Sequence, residues 1–168
     1  MSTMEQNRSG LYGVLVALLV LSLLFGLVIV PSIYGDFLWF ESIGYDQVFL
    51  TILGYKIGVF VVVSLLTFAG LFASYYVAVN NVGKTGEKPP TVMYIGGILA
   101  LSVFFGIRYV GVWQILLRYL NSTSFGVADP VYGNGVSFYV FSLPMINAAL
   151  DFLMAVTATS LVVALLVY

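Results

Sequence analysis

The chain has 168 residues, of which 61% are hydrophobic and only 8% charged, whereas a soluble domain is about 45–50% apolar and about 25% charged. A water-soluble fold of this size would expose large apolar patches, so the lipid bilayer is the expected solvent and first partner. Six Lys and Arg against seven Asp and Glu give a net charge of -1, and there is no Cys and no His. That leaves no basic face for nucleic acid. It also removes disulfides, Cys/His zinc sites, thiolate nucleophiles and imidazole bases. No metal, cofactor or catalytic constellation is expected.

The pattern predicts an all-α fold, a polytopic transmembrane bundle of four spanning helices with a short interfacial helix and aromatic outer loops. Crossing roughly 30 Å of hydrocarbon at about 1.5 Å per residue takes about 20 apolar residues. After a polar segment at residues 1–10 that carries Arg8, the first span is expected at about 11–30, ending at Pro31, which breaks a helical hydrogen bond. Val28-Ile29-Val30-Pro31 offers no small-residue cleavage site, so this segment reads as a retained anchor. An outer loop is expected over 31–54, a second span at about 55–79, and a cytoplasmic loop over 80–91 where Gly, Pro and charge concentrate. A third span follows at about 92–111, an outer loop at 112–143 and a fourth span at about 144–168, with Pro144 in its first turn. Arg8, Lys84 and Lys88 place the N-terminus and the 80–91 loop in the cytoplasm, because short loops retain Lys and Arg there. Lys56 and Arg118 fall on the outer side and can snorkel from helix ends. The last span closes on Leu165-Leu166-Val167-Tyr168 without a polar anchor. The expectation is therefore the N-terminal part of a longer chain, or a helix completed by other membrane subunits.

Several segments could carry chemistry. In the first outer loop Asp36, Glu41 and Asp46 are interleaved with Trp39 and Tyr45. Rings at the headgroup level beside wet carboxylates explain that mixture. A site for a cation or an organic amine, with Trp39 or Tyr45 supplying cation-π attraction, is the sharper alternative. In the second outer loop Trp113, Leu116, Leu117 and Leu120 share one helical face, which predicts a short helix along the membrane surface. Asp129-Pro130 starts a turn, and Asn134-Gly135 favours a type I′ hairpin between short extended runs. Asp129 and Asn134 offer oxygen ligands, but no calcium-loop pattern accompanies them. Asn121-Ser122-Thr123 is a glycosylation sequon on the expected outer face. Within the apolar spans Arg108 and Asp151 stand out, since a charge at the membrane centre costs at least about 2.5 kcal/mol. An Arg108–Asp151 ion pair locking the third span to the fourth is one reading, a proton or cation relay at Asp151 is a second, and an interfacial Asp151 facing water, with the fourth span starting later, is the third. Small residues four apart mark helix contacts at Gly13/Ala17, Ser22/Gly26, Ala69/Ala73, Gly70/Ser74 and Gly96/Ala100.

The runs Trp39-Phe40-Glu41-Ser42-Ile43-Gly44-Tyr45 with Val48-Phe49, and Phe125-Gly126 with Asp129-Pro130, Gly133 and Phe138-Tyr139-Val140-Phe141-Ser142-Leu143-Pro144, make the chain resemble Uncharacterised Protein Family 0182 along essentially its whole length. The resemblance implies several N-terminal spanning helices followed by a large extracytoplasmic region. It departs in carrying Gly135 where the family usually has an acid, and it transfers no catalytic residue. The leading functional expectation is a membrane scaffold or interaction module. A transporter or channel component with an Asp151/Arg108 polar site comes second. An enzyme acting on lipid or quinone through Asp36, Glu41, Asp46 and tyrosines ranks last.

Overall fold

A computed structural model describes residues 26–27, 30–82 and 91–167. Most of the expected first span (11–30), the segment 1–10, most of the 80–91 loop and Tyr168 lie outside the described residues. Within them the chain is helical and holds no strand. A helix through residues 30–42 (α1) is followed by α2 (Asp46–Val82), α3 (Thr91–Tyr109), a 3-10 turn (Val110–Val112) and α4 (Trp113–Leu120). An irregular stretch then leads to a π turn (Phe138–Ser142) and α5 (Leu143–Val167). Three helical stretches, Asp46–Asn81, Thr91–Leu120 and Phe138–Val167, are long and apolar enough to cross a membrane. The chain divides after Thr51 into two units.

In the first unit the expected outer loop is corrected. Residues 30–42 are helical and α2 begins at Asp46, so only a three-residue turn, 43–45, is irregular. Pro31 is itself helical, as its fixed φ allows. Gly44 takes a left-handed φ of 77°, which only glycine adopts freely. The Gly44 N–H then donates to the Glu41 carbonyl at 3.0 Å and the Tyr45 N–H to that of Phe40 at 2.9 Å. This is a Schellman ending, which satisfies the last carbonyls of α1. The Tyr45 carbonyl in turn accepts the Val48 and Phe49 N–H groups at 3.0 and 3.3 Å and opens α2. Phe49 packs on Phe37 and Phe40 at ring distances of 5.7 and 5.6 Å. The aromatic residues thus form a helical corner, where the sequence reading placed a loop.

In the second unit α2, α3 and α5 pack together. Buried Thr67, Leu71, Tyr75 and Ala78 lie at three- and four-residue spacings on one face of α2, with buried Val59 two turns earlier. Leu71, Tyr75 and Ala78 meet Ile98 of α3 and Val163 and Val167 of α5 in the core cluster. Lipid tails are as apolar as leucine, so close packing and interhelical hydrogen bonds hold such a bundle together more than hydrophobic burial does. Ser74 Oγ donates to the Ser160 carbonyl at 2.9 Å, and a Cβ on Gly70 would lie 3.2 Å from Val156. The Gly70/Ser74 pair therefore seats α2 on α5. Tyr94 OH donates to the Leu166 carbonyl at 2.7 Å and stacks on Tyr75 at 5.3 Å. At the other end of α3 a Cβ on Gly106 would overlap Ser64 Oγ and come within 2.8 Å of the Phe60 ring. These contacts make α2 and α5 parallel, with α3 antiparallel to both.

The amphipathic segment expected after the third span is α4, and Lys56 of α2 holds its first residue, Trp113, by a cation-π contact of 5.7 Å. The fourth expected span coincides with α5, where Pro144 stands in the first turn, but helical backbone also runs ahead of it, back to 136 through the π turn. Proline lacks the N–H that would bond to the carbonyl four residues back. The widened turn just before it carries the mismatch, with the Leu143 N–H reaching the Phe138 carbonyl five residues back.

Candidate functional site

The stretch between α4 and the π turn holds the most organised polar chemistry outside the helices. Asn121 ends α4, its side-chain amide donating to the Leu117 carbonyl at 2.9 Å, so the sequon asparagine serves as a cap. Further on, the Val136 N–H donates to Val127 at 2.9 Å and the Asp129 N–H to Asn134 at 2.8 Å, around a single bridge between Ala128 and Gly135. The chain therefore reverses across Pro130-Val131-Tyr132-Gly133. The expected I′ turn at Asn134-Gly135 is corrected, because Gly133 is the residue with a left-handed φ, 70°, and neither Asn134 nor Gly135 has one.

Asp129 moves the reversal upstream. Its carboxylate accepts the Val131 N–H at 3.3 Å, the Tyr132 N–H at 3.1 Å and the Tyr139 hydroxyl at 3.0 Å. Donation from the Val131 backbone N–H above all, and from Tyr132 and Tyr139, holds this carboxyl below the usual carboxylate range against a smaller opposing effect of desolvation. The donors that stabilise the charge also occupy its lone pairs. Asp129 thus organises the turn, and Asn134 contributes its backbone carbonyl to the same closure.

Beside this turn Ser122, Thr123, Ser124, Ser137, Phe138 and Ser142 line an open cavity of about 290 Å³. Its lining carries no charge. The sequence reading singled out none of these hydroxyls as a group, because the residues come from two segments that only the chain reversal brings together.

The remaining candidates are dispersed. Asp36, Glu41 and Trp39 are all exposed on α1, and Trp39 leans edge-on against Phe40 at 5.0 Å without forming a cage. No group of three or more acids able to hold a metal occurs among the described residues. Arg108 ends α3 with its guanidinium 5.9 Å from the ring of Tyr109. Asp151 lies on α5, and both charged residues are exposed. Tyr109 meets Phe152 edge-on at 5.4 Å, which puts Arg108 and Asp151 at one level of the bundle. Among the described residues no ion pair joins them. Asn147, four residues before Asp151, is exposed on the same face. That pairing escaped the sequence reading, although the spacing alone exposes it.

The sequence matches the model of the uncharacterised protein family UPF0182 over residues 12–168. A UPF0182 protein of Methanospirillum hungatei is 33% identical over 143 residues, covering 83% of this chain and 16% of its own length. One from Mycolicibacterium gilvum is 34% identical over 153 residues, covering 82% of this chain and 15% of its own. A third, from Corynebacterium jeikeium, is 28% identical over 159 residues, covering 85% and 16%. The chain therefore spans about a sixth of these relatives, and no solved structure matches it. The chain, with three apolar helices among its described residues and a match over residues 12–168, belongs to the uncharacterised protein family UPF0182.

Proposed function

We propose that the chain is a membrane-embedded scaffold or interaction module, a multi-pass bundle in the cell membrane with a cytoplasmic N-terminus. In this reading it forms the N-terminal membrane part of a larger protein, or a subunit of a membrane complex. One observation carries the proposal: the acids, amides and arginine of the candidate sites are tied up in the fold or dispersed over its surface, and they do not converge on a reacting centre. Asp129 holds a turn, Asn121 caps a helix, and Arg108 and Asp151 sit apart at one level. The core between α2, α3 and α5 is apolar apart from Thr67, Ser102, Ser64 and the Tyr75 hydroxyl, with the Ser64, Thr67 and Tyr75 oxygens finding no hydrogen-bond partner. The much greater length of the relatives supports a part in something larger.

Purification from the native membrane in mild detergent tests this. The expected result is a stoichiometric assembly, with further membrane chains or with further domains of a longer chain. A partner-free, protease-open bundle would end the scaffold reading. The transporter reading draws on the exposed Asn147–Asp151 face alone. It requires cation- or pH-dependent flux that disappears in Asp151→Asn.

A further inference from the structure

Resting on the scaffold reading, we propose that the Asn147–Asp151 face of α5 is the docking surface for another transmembrane helix, one that brings a lysine or arginine to the level of Asp151. Asn147 and Asp151 are exposed at helical spacing, while the residues exposed around them are Leu150 (51%), Leu153 (57%) and Met154 (63%). In an apolar medium a carboxylate needs a cation or hydrogen-bond donors. An amide one turn away adds a second polar anchor that fixes the register of an incoming helix. The chain's own Arg108 stands at the right level but makes no ion pair with Asp151, its guanidinium lying 5.9 Å from the Tyr109 ring. Charge complementarity therefore names the occupant as a basic residue on a neighbouring helix. Exposed Leu153 and Met154 give that helix an apolar surface to lie against.

The test uses the full-length protein in its own membrane, with a photoreactive residue at Met154. The proposal expects adducts with a protein segment that carries Lys or Arg within an apolar stretch. Asp151→Lys should cut their yield by about tenfold or more, because like charges brought together cost several kilocalories per mole. Changing the crosslinked segment's basic residue to Glu should restore the yield. Asp151→Asn, which keeps the shape, should give an intermediate loss and guards against a folding artefact. Adducts with lipid alone, or protein adducts indifferent to Asp151→Lys, would overturn the proposal. So would labelling of Asp151→Cys, the sole cysteine in the chain, by a membrane-impermeant thiol reagent, since that places the face in water. If the protein with Asp151 intact gives no protein adducts from Met154 while the assembly still co-purifies, only this face is wrong; absence of both sinks the scaffold reading as well.

Discussion

Asp129 shows how a polar residue that reads as a ligand can be used up by its own backbone. Its type and its place before Pro130 announce a turn in the sequence, but the Tyr139 hydroxyl comes from ten residues away and needs the reversal to be built first. Asp129→Ala should release the Val131 and Tyr132 amides and speed their hydrogen exchange, while Asp129→Asn, which keeps one acceptor oxygen, should have a smaller effect. Because the folded carboxyl is held below its ordinary range, its contribution is fully present above the unfolded pKa and is lost as pH falls through the folded value. Exchange protection at Val131 and Tyr132 should therefore be flat near neutrality and fall only in acid below the usual carboxylate range. Gly106 offers a second test at this scale. A Cβ there would overlap Ser64 Oγ, whereas Gly96 has nothing within 4 Å of its position. Gly106→Ala should cost about 1–3 kcal/mol by overpacking, and Gly96→Ala should be neutral or stabilise by up to about 1 kcal/mol. Thermal melts in detergent would separate the two.

At the scale of elements, the apolar periodicity made α2, α3 and α5 legible because about twenty apolar residues in a row have few alternatives. Amphipathic spacing made α4 legible for a similar reason. The segment 30–42 was not, since its acids, aromatics and Gly35 break the apolar pattern, and its Schellman ending depends on a left-handed Gly44 that a sequence only permits. Pro144 stands in the first turn of α5, where proline is common, whereas the π turn ahead of it is a widening that composition does not announce. Small-residue spacing identified Gly70/Ser74, which does pack on α5, and Gly96/Ala100, which is exposed. Spacing reports that a close approach is possible, not which face receives it. Ser102 and Gly106 share the spacing and supply the tighter contact, yet the chain's many such pairs hide it. Tyr94→Phe removes the α3-to-α5 hydrogen bond and should cost about 0.6 kcal/mol, the usual size of such bonds within membranes, and at most about 1.7 kcal/mol. A larger loss would mean that the Tyr75–Tyr94 stack depends on it.

For the molecule as a whole, composition pointed to a membrane, and the described helices have the length and apolarity for it. Sequence could not locate a functional site, because the chemistry it names, an acid here and an arginine there, becomes a site only through convergence, and here the groups stay apart. A structure of the protein isolated from its native membrane is the most direct test of this account. Protein should cover the Asn147–Asp151 face, with a basic side chain against Asp151 and the core closed between α2, α3 and α5. A water-filled path running past Asp151 through a bundle without partners would contradict it and make transport the function to pursue.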